Sequence, residues 1–128
     1  SPRLFVIPAS GGSPTQLPTG GGYASEPCWN RVDRNLIAFT QASEGSNSVL
    51  VLDLAKSTVT VAAQGTGAVA YSRGSWCADG RHLVVQSQQR GTERYWLSLA
   101  DAATGKVTRL TGEQLAGCTQ PDCWFPRR

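Results

Sequence analysis

The stretch "GSWCADGRHLVVQ", residues 74 to 86, gathers a Trp, a Cys, an Asp and the only histidine of the chain. His82 beside Ser75 or Cys77 would make a base and a nucleophile, the imidazole taking the hydroxyl or thiol proton. The surrounding pattern does not build that chemistry. There is no G-x-S-x-G elbow, and no glycine run stands beside these residues to hold an oxyanion. His82 therefore reads as an exposed histidine at a strand end. Asp33, Asp53, Asp79, Asp101 and Asp122 stand singly in turn sequences, without the D-x-D-x-D-G loop that calcium needs. An Asp in a tight turn bonds its own backbone and needs no metal. The glycines of "ASGGS" and "TGGGY" lack the lysine and following helix of a phosphate-binding loop, so they read as turns. No catalytic, cofactor-binding or metal-ligating residue is expected.

The cysteines are the other reactive set. Cys118 and Cys123 form a C-x4-C in "GCTQPDCW", where Pro and Asp favour a turn, while Cys28 and Cys77 stand alone. Zinc would want C-x2-C pairs or histidines at ligand spacing. Cys28, Cys77, Cys118 and Cys123 are therefore disulfide candidates in an oxidising compartment, with the pairing open. Net charge is +3, and ten of the twelve basic residues are arginines, dispersed except for Arg127 and Arg128. A nucleic-acid surface would cluster them among aromatics, so no nucleic-acid partner is expected. No apolar stretch approaches the ~18 residues that cross a bilayer. A chain that opens on Ser1-Pro2 and contains no Met reads as a mature product or an excised piece.

What positions these residues is a set of short strands. At 128 residues, 40% of them hydrophobic and spread in short runs, the chain has the size of one domain. Trp29, Trp76 and Trp124 stand 47 and 48 residues apart in similar settings, "EPCWNR", "RGSWCAD" and "PDCWFP". "NRVDRNLIAF" and "CADGRHLVVQ" then give a turn and an apolar strand, with Asp33 and Asp79 in the turn and Leu36-Ile37 matched to Leu83-Val84. "SVLVLDLAKSTVTVAA" and "RYWLSLADAATGKVTRLTG" each read as strand, turn, strand, and "RLFVIPASGGSPTQLPTG" is a further copy. Only "GEQLAG" suggests a helical turn. The expectation is an all-β chain of four-stranded antiparallel blades, a Trp-led strand first in each, the indoles packed between blades.

The frame "W-x-x-D-G" of "SWCADGRHLVV", followed by "YWLSLADAATGKVTRLTG", resembles the WD-like propeller repeat of the TolB type. Cys77 and Ala78 stand where that repeat usually has Ser and Pro, and the first unit has Asp33-Arg34 in place of Asp-Gly. The likeness implies about two and a half blades: residues 3–20 end one, 23–65 and 70–112 are whole, and 118–128 start another. That is fewer than a closed ring of four to eight. The chain would then be a fragment of a longer propeller, a piece of a ring of copies, or a unit of an open array.

By resemblance, the expected role is a non-enzymatic, extracytoplasmic module of the periplasm or the exterior. It would bind a protein partner or further copies of itself and insert in no membrane. Alternatives are the propeller portion of a larger peptidase or polysaccharide lyase, or the ligand-sensing periplasmic domain of a membrane regulator. Tyr95 and Trp96 are neighbours on one strand, so one of the rings must face outward. That ring, with Arg90 and Arg94 flanking the "GTE" turn, forms the candidate contact for a partner.

Overall fold

The computed structural model describes residues 3–43 and 46–110, and every regular element among them is a strand. In chain order these are β1 (Phe5–Val6), β2 (Thr15–Gln16), β3 (Tyr23–Trp29), β4 (Leu36–Ala42) and β5 (Asn47–Asp53). They continue with β6 (Thr58–Ala63), β7 (Val69–Trp76), β8 (His82–Gln89), β9 (Tyr95–Asp101) and β10 (Val107–Arg109). β1 and β2 pair alone, β3-β4-β5-β6 form a first sheet, and β7-β8-β9-β10 form a second. All pairings are antiparallel, so each sheet is a meander of consecutive strands. The all-β, blade-like expectation holds. The "GEQLAG" turn, Asp122, Trp124, Cys118, Cys123, Arg127, Arg128 and the final unit at 118–128 lie outside the described residues.

Patterning explains which strands sit inside. β4 and β5 are covered on both faces and read as near-continuous apolar runs, "LIAF" and "VLVL", rather than as alternation. On one side of the first sheet, Ile37, Phe39, Leu50, Leu52 and Ala24 pack on Leu4 and Leu17 beside the β1–β2 pair. On the other side, Cys28, Ala38, Val49, Val51, Ala62 and Ala63 meet Trp76, Leu83, Val85 and Ala100 of the second sheet. Consecutive residues of β4 thus serve opposite cores, as a two-residue period requires. No buried side-chain nitrogen or oxygen among the described residues lacks a hydrogen-bond partner.

Polar bonds fix how the second sheet sits on the first. Trp76 Nε1 donates to the Cys28 carbonyl at 3.0 Å. The Arg73 amide donates to Thr40 Oγ1 at 3.0 Å, and Asn30 Nδ2 donates to the Gly80 carbonyl at 2.7 Å. The Arg73 guanidinium meets the Glu26 carboxylate at 3.0 Å. Glu26 and Arg73 are the same residue of the repeat. Each occupies a bulge of its sheet's first strand, with φ of 52° and 54°.

The register corrects two details of the sequence alignment. Trp29 lies opposite Ile37 and Trp76 opposite Leu83, so Ile37 matches Leu83 and Leu36 matches His82, one place from the expected pairing. The cause is the loop. Asn30 N bonds the Leu36 carbonyl in one unit and Cys77 N bonds the His82 carbonyl in the other, closing loops that differ by one residue. The indoles also end β3 and β7 instead of leading them.

Candidate functional site

Around His82 the turn chemistry is dense. Asp79 Oδ1 accepts the amides of Arg81 and His82 at 2.9 and 3.0 Å, and its Oδ2 lies 2.6 Å from His82 Nδ1. The other ring nitrogen is 3.8 Å from Asp101 Oδ2, on the strand residue directly opposite. Asp101 in turn takes two bonds from the Arg81 guanidinium, at 3.3 and 2.9 Å. That forked bond holds the Asp101 carboxyl at about 2, against the cost of burial, and raises Arg81. Partial burial pushes Asp79 up, but the His82 and Arg81 amides and the imidazole outweigh it and leave it lowered. His82 was expected exposed; its side chain is only 31% exposed, between two carboxylates. Neither side chain that could have served as a nucleophile is at hand, in keeping with the pattern around them. Ser75 is buried opposite Val84, and Cys77 is buried and is no free thiol. The arrangement braces a strand end and leaves the imidazole facing acids.

The aromatic pair lies at the other end of β9. Trp96 is opposite Ser87, on the side facing the first sheet, and the Arg109 guanidinium stacks over its ring at 4.9 Å. Tyr95, opposite Gln88, takes the outward side and is half exposed. Strand alternation required this split, and Tyr95 is the outward ring. Arg90 and Arg94 bracket the turn from β8 to β9, where Gly91 has φ 77° and the Gln89 amide bonds the Arg94 carbonyl at 3.0 Å. Arg90 borders an open hollow of about 240 Å³ with Ser43, Ser46, Asn47 and Gln88. Cys28 is buried like Cys77, and no described cysteine is free.

A third place escaped the sequence reading. Trp29 and Trp76 were expected to be packed alike. Trp76 is 2% exposed and Trp29 is 46% exposed. Trp29 shares its side of the first sheet with Ile37, the side that packs on Leu4 and Leu17. Its indole N–H turns back at 2.5 Å to the carbonyl of Arg34 in its own loop, not to a neighbouring sheet. Trp29, Asn30, Arg31 and Arg34 line an open hollow of about 450 Å³. The sequence signal was Arg34 itself, standing where the second unit has Gly80.

No family model matches the chain, and no curated protein matches it by sequence. Solved structures do. It is similar to a TolB-type protein from Agrobacterium tumefaciens at 18% identity and TM-score 0.71, over 85% of this chain and 40% of that one. It is similar to TolB from Acinetobacter baumannii at 20% identity and TM-score 0.68, over 86% of this chain and 26% of that one. The chain therefore spans less than half the length of either. The backbone, with its two stacked four-stranded meanders, has the fold of TolB-type β-propeller blades.

Proposed function

We propose that this chain is a non-enzymatic, extracytoplasmic module that binds a protein partner or further copies of itself through the outside of its blades. The observation carrying the reading is the division of labour among side chains. The groups capable of catalysis serve the scaffold: His82 lies against Asp79 and Asp101, Ser75 is buried, and Cys77 is no free thiol. An aromatic ring and two cations meanwhile lie at one end of the second sheet, with Tyr95 half exposed. Exposed aromatic and arginine side chains are the residues that dominate protein contacts. The resemblance to TolB-type repeats supports a periplasmic or extracellular setting, which suits a chain with four cysteines as disulfide candidates. The lengths of the matched structures also accommodate a second reading, in which these blades belong to a larger peptidase or polysaccharide lyase or to the periplasmic domain of a membrane regulator.

Two measurements test the proposal. Light scattering behind size exclusion gives the mass, and a concentration-independent monomer removes self-assembly. Panning a peptide library on the chain should enrich sequences whose affinity falls about tenfold in Tyr95→Ala or Arg94→Glu, a contact loss of ~1.4 kcal/mol. Enriched peptides that ignore both substitutions remove this surface from the reading.

A further inference from the structure

We infer that the hollow over Trp29 is a binding site for an acidic peptide segment, read by the Trp29 indole and the Arg34 guanidinium. The inference rests on the protein-binding reading above and places a second contact at the opposite side of the molecule.

The same corner is built differently in the two units. In the second, the loop after β7 presses on the loop after β3. Gly80 has φ 69°, and a Cβ there would lie 2.6 Å from Cβ of Val32. Its carbonyl takes the Asn30 side chain, and the indole before it is satisfied by the first sheet's backbone. That corner is built to receive a neighbouring blade at the closest approach backbone allows.

In the first unit every one of those devices is changed. Asp33 caps its turn through the Asn35 amide as Asp79 does through Arg81, so Arg34 holds the place of Gly80. Arg34 is not among the left-handed residues. It brings a long cation to the place where the second unit has no side chain, so this corner is not a copy of the one that meets Val32. The Trp29 N–H has its own loop carbonyl and needs no neighbour. The corner presents a half-exposed ring beside a cation.

That chemistry selects its occupant. A guanidinium binds a carboxylate through paired N–H bonds, and an indole face supplies the apolar area that a desolvated contact needs. Asn30 adds nothing, because its amide is spent on Val32, Asp33 and Gly80. The hollow of about 450 Å³ is of the size that takes a few residues of a chain. The dispersed arginines elsewhere provide no track for a polyanion such as nucleic acid.

The test uses the full chain and a fluorescein-labelled peptide of glutamates around one phenylalanine, followed by anisotropy. Saturable binding is expected, weakening with salt and falling about tenfold or more in Trp29→Leu and in Arg34→Gly, which restores the residue of the other unit. The matching glutamine peptide should bind as weakly as those variants do. Both substitutions are at exposed sites, and circular dichroism checks that they keep the fold. Lys56→Ala, at an exposed turn, should leave this binding unchanged.

Acidic-peptide affinity equal in the chain and in Arg34→Gly overturns the inference. So does a thymidine oligonucleotide bound in preference to the peptide, or a dimer that dissociates in Trp29→Leu, which would make this face an interface between copies. If the acidic peptide fails while panned peptides still depend on Tyr95, only this site is lost. If both fail, the protein-binding reading falls with it.

Discussion

Single residues carry the turns, and these were the most legible part of the sequence. Asp33 and Asp79 sit in matching loops because a carboxylate accepts the amides of the residues just after it. Gly80 is different, since what it needs is set by Val32, 48 residues away in the chain. Gly91, at φ 77° with open space around it, isolates the backbone part of the effect. Gly91→Ala should cost about 1–2 kcal/mol for the left-handed backbone alone. Gly80→Ala should cost that and about 1–3 kcal/mol more for overpacking, read as a larger drop in urea midpoint. Asp101 sets an acid limit. Its carboxyl is held at about 2 when folded, so its contribution is complete above the ordinary carboxylate range and is lost as pH falls toward 2. Asp101→Asn should flatten the dependence of stability on pH between about 4 and 2, measured by thermal melts across that range.

Strands and loops were legible as types and order but not in their fine register. Alternation and apolar runs identify β4, β5, β8 and β9, because a sheet covered on both faces leaves no other use for such segments. The one-residue difference between the loops after β3 and β7 could not be placed from composition, since Asp aligns on one side of it and Trp on the other. It took the carbonyl bonds at Leu36 and His82 to locate it. Equally, two indoles at the same place of the repeat have different exposure, because burial depends on what covers the sheet and not on the strand. Trp76→Ala should cost about 3–5 kcal/mol. Trp29→Ala, at a half-exposed site, should cost less than half as much, about 1–2 kcal/mol. Equal losses by chemical denaturation would contradict the burial difference.

At the scale of the molecule, the repeat announced the stacked sheets while the two ends of the stack stayed unread. Spacing of Trp29 and Trp76 tells how often a sheet recurs; it says nothing of what lies against the first one. Arg34, noticed as a departure from the repeat, acquired meaning only once Gly80 was seen against Val32. The sheets share one core, with Cys28, Val49 and Val51 on one side and Trp76, Leu83 and Val85 on the other. Unfolding should therefore be a single transition, with far-ultraviolet circular dichroism and tryptophan emission giving the same urea midpoint. Separated midpoints would show the sheets to be independent.

The bond from the Trp76 indole to the Cys28 carbonyl has a counterpart that closes within the loop of Trp29 itself. The earlier-made sheet satisfies its own indole, whereas the later one borrows its acceptor from a strand already laid down. On a ribosome, where the amino-terminal part emerges first, the growing molecule would acquire its layers in one direction, each finished layer serving as the mould for its successor.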